Sequence, residues 1–135
     1  MENYFQYNMD LQQVNALTNL ALAHVGDSVF ELMVRTHLCS SGRQKVQQQH
    51  KAAVSLVNAT SQAGFAEKIL PLLTQQEQDF FRRGKNTHTH AAPKAATAKQ
   101  YSLATGLETL FGALYLMGQT QRLNELFQIM MNEEP

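Results

Sequence analysis

The sequence predicts an all-α fold, organised as a single domain over residues 1–135. Three observations predict it. Apolar residues recur at helical spacing in several stretches, as Val25, Val29, Leu32 and Met33 do. Nothing alternates with period two over a useful length, so no half-buried strand is expected. Helix starts are written into the chain: Thr74-Gln75-Gln76-Glu77 and Thr97-Ala98-Lys99-Gln100 are both capping-box patterns.

Taken in order, residues 1–9 form an irregular lead-in, and Tyr4, Phe5 and Tyr7 are apolar enough to pack on the domain or on a second subunit. A first long helix begins between Asp10 and Thr18, each a plausible cap, and runs to about Cys39. It is dense in apolar residues through Leu20, Ala21, Leu22, Val25 and Val29, which predicts a central helix or one shared with a partner. Ser40-Ser41-Gly42 ends it. Residues 43–72 are helical, with a break expected somewhere from Asn58 to Gly64 and an end at Pro71. A short helix follows from the Thr74 cap to about Arg83. Residues 84–97 lack apolar periodicity and read as a long loop, which is usually functional or disordered. The Thr97 cap opens a helix that carries Glu108 and ends near Gly118. A last amphipathic helix places Leu123, Leu126, Phe127, Ile129 and Met130 on one face.

The composition narrows the class. One cysteine, Cys39, forbids an internal disulfide and suits a reducing compartment, and its place near a helix end suggests a small packing residue. No apolar run approaches the ~20 residues of a membrane span, and the polar N-terminus does not read as a signal peptide. A cytoplasmic protein without membrane attachment is the expectation. Net charge is zero, yet the charges are segregated. Between Glu31 and Glu67 there is no acid but there are Arg35, Arg43, Lys45 and Lys51. Between Asp79 and Glu108 there is none but there are Arg82, Arg83, Lys85, Lys94 and Lys99. A neutral chain of this kind can fold with a basic face for nucleic acid, or simply with two solvated polar segments.

Two apolar stretches each carry a carboxylate. Asp27 lies in His24-Val25-Gly26-Asp27-Ser28-Val29-Phe30-Glu31, and Glu108 in Thr105-Gly106-Leu107-Glu108-Thr109-Leu110-Phe111-Gly112. Packed side by side, the two helices could aim both carboxylates at one hard cation such as magnesium (Mg2+), which prefers oxygen ligands and keeps several waters. The alternative is that Asp27 bonds within the fold and Glu108 pairs with a basic residue. Glu31 stands one turn from Arg35 and is positioned for an ordinary ion pair. Arg82, Arg83, Lys85 and Asn86, at a helix end, suit phosphate contact or, equally, the helix macrodipole. His88 and His90 are better read as loop residues than as zinc ligands. No Walker loop, dinucleotide fingerprint or nucleophilic triad is present.

These motifs resemble those of the ribonuclease III family. Leu22-Ala23-His24-Val25-Gly26-Asp27-Ser28-Val29-Phe30-Glu31 is similar to its signature helix, and Thr105-Gly106-Leu107-Glu108-Thr109-Leu110-Phe111-Gly112-Ala113-Leu114-Tyr115 to its second motif. Over roughly residues 15–130 the chain looks like Mini-III, the short branch made of a catalytic domain without a double-stranded-RNA-binding domain. Arg83-Gly84-Lys85-Asn86 and Pro93-Lys94 fall in the same order and at similar spacing there. The resemblance implies an all-helical, homodimeric endonuclease that cuts double-stranded RNA with magnesium, Asp27 and Glu108 serving as catalytic metal ligands. Ribonuclease III proper has further acids where this chain has Ala23 and Thr105; Mini-III resembles this chain in that respect. The implied substrate is the duplex formed by the two ends of the large-subunit (23S) ribosomal RNA precursor, with a large-subunit ribosomal protein as a possible partner. Arg82, Arg83, Lys85, Asn86 and Lys94 are the candidate RNA contacts. An inactive scaffold that binds structured RNA or ribosomal protein is the alternative.

Overall fold

The computed structural model describes residues 1–42, 45–87 and 96–132. Among these residues the chain forms helices and no strand. The helices are α1 (Leu11–Asn15), α2 (Asn19–Ser40), α3 (Val46–Val57), α4 (Ala59–Ile69), α5 (Gln75–Lys85), α6 (Ala98–Leu116) and α7 (Thr120–Met131). A short 3₁₀ turn, Leu70–Leu72, carries Pro71 and ends α4 as expected.

Side-chain caps decide the boundaries. Asp10 and Thr18, expected as alternative starts of one helix, start two. Asp10 Oδ1 accepts from the Gln13 amide at 2.8 Å, and Thr18 Oγ1 from the Ala21 amide at 3.1 Å. The break between α3 and α4 is confined to Asn58, whose extended backbone leaves one helix while its Oδ1 caps the next at Ser61. Both predicted capping boxes form, at Thr74–Glu77 and Thr97–Gln100. Helix α5 continues to Lys85, so Gly84 and Lys85 are helical rather than loop. His88, His90, Pro93 and Lys94 of the predicted 84–97 loop lie outside the described residues.

The central helix is α6, not α2. Nearly every side of α6 is buried from Leu103 to Leu116, and α2, α4 and α5 pack around it. The apolar density of α2 does not all turn inward. Leu22, Phe30 and Val34 are core, whereas Leu20, Ala21 and Leu32 are exposed. Cys39, expected to pack, is exposed. Helix α3 lies on α2 and α4, and α7 lies on α4 and α6 through Leu123, Leu126, Phe127 and Met130. The lead-in docks on α6: the Met9 amide donates to the Leu116 carbonyl at 2.8 Å, and the Tyr7 ring sits 6.4 Å from that of Tyr115. Among the described residues, no helix is long and apolar enough to cross a membrane.

Helices α2 and α6 touch backbone to backbone. A Cβ at Gly26 would fall 1.6 Å from the Glu108 carbonyl oxygen, and one at Gly112 would fall 1.9 Å from the Leu22 carbonyl oxygen. Only glycine permits this approach at either position. The crossing fixes which residues of the two helices face each other.

Candidate active site

Asp27 follows Gly26, whose Cα lies against the Glu108 backbone, and the crossing therefore brings the Asp27 and Glu108 side chains together. They line one cleft of about 260 Å³, walled by Ala23 and His24 of α2, Ala59 and Gln62 of α4, and Tyr101 and Thr105 of α6. Both acids sit in apolar stretches of the sequence, where burial of each is the simple expectation. Asp27 is instead exposed at the rim, and Glu108 is the more enclosed of the two. The Glu108 carboxyl is pushed up to about 8, first by burial and then by its hydrogen bond to Asp27 and the charge of that group. Two carboxylates held this close favour sharing a proton, and a cation would replace it.

The positions where further acids were sought offer none. Ala23 is small and buried. The Thr105 hydroxyl is spent on the Tyr101 carbonyl at 3.0 Å. Among the described residues, no group of three or more His, Cys, Asp or Glu side chains could hold a metal ion, so the centre supplies two carboxylates and no more. Glu31 forms the expected ion pair with Arg35, at 3.4 Å on the surface.

The basic residues at the end of α5 divide. Arg83 is engaged inside the fold: Nε donates to Asn19 Oδ1 at 2.8 Å, Nη1 to Asn15 Oδ1 at 3.1 Å and Nη2 to the Leu17 carbonyl at 3.0 Å. It ties the α1–α2 turn to α5 and sits over the Phe80 ring. Arg82 is exposed and pairs with Asp79 at 3.3 Å. Lys85 and Asn86 are exposed at the C-terminal end, where positive charge also complements the macrodipole. Thr87 Oγ1 accepts from Asn19 Nδ2 at 3.1 Å, which holds this end of α5 beside the first turn of α2. Lys94 lies outside the described residues.

Sequence reasoning missed two features. Glu77, read only as a capping residue, is buried and also accepts from Arg122 Nε at 2.8 Å and Nη2 at 2.9 Å. Gln62 is 3% exposed and lines the cleft. The capping box of Glu77 says nothing of Arg122, and Gln62 carries no local motif; each place is set by the packing of distant segments.

The profile of the family described as Ribonuclease III domain matches residues 20–119, which contain both carboxylate helices. The chain belongs to the ribonuclease III family. As a member of that family it is an endoribonuclease. A Symbiobacterium thermophilum protein named Mini-ribonuclease 3 is 43% identical over 120 residues, spanning 89% of this chain and 92% of that one. A Clostridium tetani protein of the same name is 36% identical over 124 residues, spanning 91% and 80%. The crystal structure of a Fusobacterium nucleatum protein is similar with a TM-score of 0.79 at 28% identity, covering 84% of this chain and 93% of that chain. The helical structure and the family match bear out the all-helical expectation, and the relatives named Mini-ribonuclease 3 bear out the short-branch resemblance.

Proposed function

We propose that this chain is a magnesium-dependent endoribonuclease that hydrolyses double-stranded RNA, with Asp27 and Glu108 holding the cation. The observation that carries the reading is the proximity of these two carboxyls in one cleft. Their donor set fits magnesium, which accepts one or two carboxylates and fills its remaining positions with water and substrate phosphate. When bound, the ion lowers the pKa of an attacking water and neutralises charge on the phosphate. The two residues would hold the ion together, Glu108 from the enclosed side of the cleft and Asp27 from its exposed rim. Ala23 and Thr105 add no charge, so the substrate completes what the protein leaves open.

The finer proposals rest on the family. The substrate is the duplex of the two 23S ribosomal RNA precursor ends, with a large-subunit ribosomal protein as a partner. The catalytic unit is one domain over residues 1–135 that works in the cytoplasm as a homodimer. An exposed apolar groove of about 380 Å³ favours the dimer: it is lined by Phe5, Val25, Val29, Leu32 and Tyr115, with Phe5 74% and Leu32 55% exposed. Arg82, Lys85, Asn86 and Lys94 are the proposed RNA contacts; Arg83 serves by holding the α5 end in place.

The test is incubation with a long RNA duplex, with magnesium or with chelator. Magnesium-dependent shortening is expected. Asp27→Asn and Glu108→Gln should stop it while leaving the fold and duplex binding intact, and parental cutting by either variant removes that residue from the site. Preference for the paired precursor ends over an unrelated duplex of equal length tests the substrate. A monomer mass in light scattering at micromolar concentration excludes the dimer.

A further inference from the structure

The cleft holds a polar side chain that the fold leaves unused. Gln62 stands on the second turn of α4, whose buried face is otherwise the small and apolar Ala63, Ala66 and Ile69. Its Nε2 is buried and has no hydrogen-bond partner among the described residues. Buried polar groups in folded proteins are nearly always paired, and an unpaired one asks for an explanation. A leucine of similar volume would fill this position without that cost. The amide is therefore retained against stability, at a wall shared with Asp27 and Glu108.

The chemistry of the atom indicates its partner. An amide N–H is a donor, and its partner must bring an acceptor. In this structure the amide nitrogen bonds to none of the acceptors that line the cleft, the Asp27 and Glu108 carboxylates and the Tyr101 and Thr105 hydroxyls included. The nitrogen is buried where the structure leaves it, so a contact with a bound strand requires the side chain to turn toward the cleft that it lines. An anionic oxygen arriving from outside would meet there a neutral donor beside two acids. We propose that Gln62 is a substrate-contacting residue whose amide N–H donates to a non-bridging phosphate oxygen of the RNA strand bound in the cleft. A neutral donor suits this place: it binds a phosphate oxygen without competing, as a lysine would, for the carboxylates that hold the cation. The inference rests on the proposed RNA and metal site.

The experiment compares the full-length parent with Gln62→Leu and Gln62→Glu. Gln62→Leu is expected to melt at or above the parental temperature and to bind magnesium with parental affinity. In an Asp27→Asn background that cannot cut, it should bind the duplex about tenfold more weakly, as loss of one hydrogen bond to a charged group predicts. At saturating duplex it should cut about 100-fold more slowly, the scale of losing one preorganised donor. Gln62→Glu should bind and cut no better, because a carboxylate repels the phosphate. Sulfur in place of one non-bridging oxygen at the cut site should slow the parent for one isomer, and Gln62→Leu should lose nothing further with that isomer. Parental cutting and binding by Gln62→Leu overturns the proposal. So does a weakened magnesium affinity, which would assign the amide to the cation, or a lowered melting temperature whose effect on rate disappears on cooling. If the parent itself makes no product, the nuclease reading fails, while the duplex-binding comparison still decides for or against the Gln62 contact.

Discussion

Gly26→Ala is the substitution in which fold and site should fail together. The added Cβ would lie 1.6 Å from the Glu108 carbonyl oxygen and 2.8 Å from the Gly112 nitrogen, both backbone atoms that cannot swing aside. To reach 3.0 Å the two helices must part by about 1.4 Å at their crossing. Overpacking of this kind costs about 1–3 kcal/mol or more, against a gain of about 1 kcal/mol from the better helix propensity of alanine. The net expectation is a loss of about 1–2 kcal/mol, read as a lower urea midpoint at unchanged slope. Activity should fall further than stability accounts for. Functional constellations tolerate about 0.5 Å of displacement, and the same movement carries Glu108 away from Asp27. Gly64→Ala is the control: nothing lies within 4 Å of its Cβ position, so it should stabilise by up to about 1 kcal/mol and leave cutting untouched. A Gly26→Ala protein with parental urea midpoint and parental rate of duplex cleavage would refute the claim that backbone contact sets the site.

Arg83→Ala should cost about 2 kcal/mol in urea unfolding, because three donors that tie α1 and α2 to α5 are lost together, whereas Arg82→Ala should change stability by less than about 0.5 kcal/mol. An equal effect of the two would undo the division of roles at the end of α5. Burial alone would raise the Glu77 carboxyl, but its hydrogen bonds from Arg122 and Thr74 prevail and hold it below the ordinary glutamate range. Its contribution is therefore present above that range and lost as pH falls through the lowered value. Glu77→Gln should flatten the acid limb of a plot of urea midpoint against pH, and a parental slope would contradict the pair. Glu108 has the opposite sign: pushed up to about 8, it lets the metal-free fold hold a proton that the unfolded chain releases near 4.5. That contribution is complete below pH 4.5 and disappears as pH rises to about 8, so Glu108→Gln should remove a decline in metal-free stability across that window. A decline that persists in the variant would place its origin elsewhere.

The helices were legible because their signals are local. Asp10, Thr18, Thr74 and Thr97, all read as caps from the sequence, each cap the helix that follows, and Asn58 caps α4 at the start of the stretch where only a break was expected. Even there, Asp10 and Thr18 read as two candidates for one start, and the turn between them is held partly by a distant residue, Arg83, which donates to Leu17 and Asn19. The pairing of Asp27 with Glu108 was legible as a possibility from matching patterns. Which acid is enclosed was not, because burial depends on how the helices pack around each side chain rather than on its neighbours in the sequence. Arg83 and Gln62 show the limit in both directions. A basic residue beside a basic loop resembles a phosphate contact until its donors are counted, and a glutamine in a helix shows no feature until its amide is found buried without a partner.

The backbone crossing also explains why the carboxyls endure each other. Two like charges held by flexible, exposed side chains on separable helices would relax apart. Here Gly26 and Gly112 lock α2 on α6, and α6 is enclosed by α2, α4 and α5, so separation would disturb packing far beyond the cleft. The repulsion is relieved within the site instead, by a proton on Glu108 in the absence of a cation. In the proposed reading Asp27 and Glu108 would hold the cation from two helices that the core already fixes relative to each other. The same rigidity leaves little tolerance. Ala23 and Thr105 contribute no charge, so under the proposed metal site the glycines of the crossing would matter to the chemistry as much as the acids.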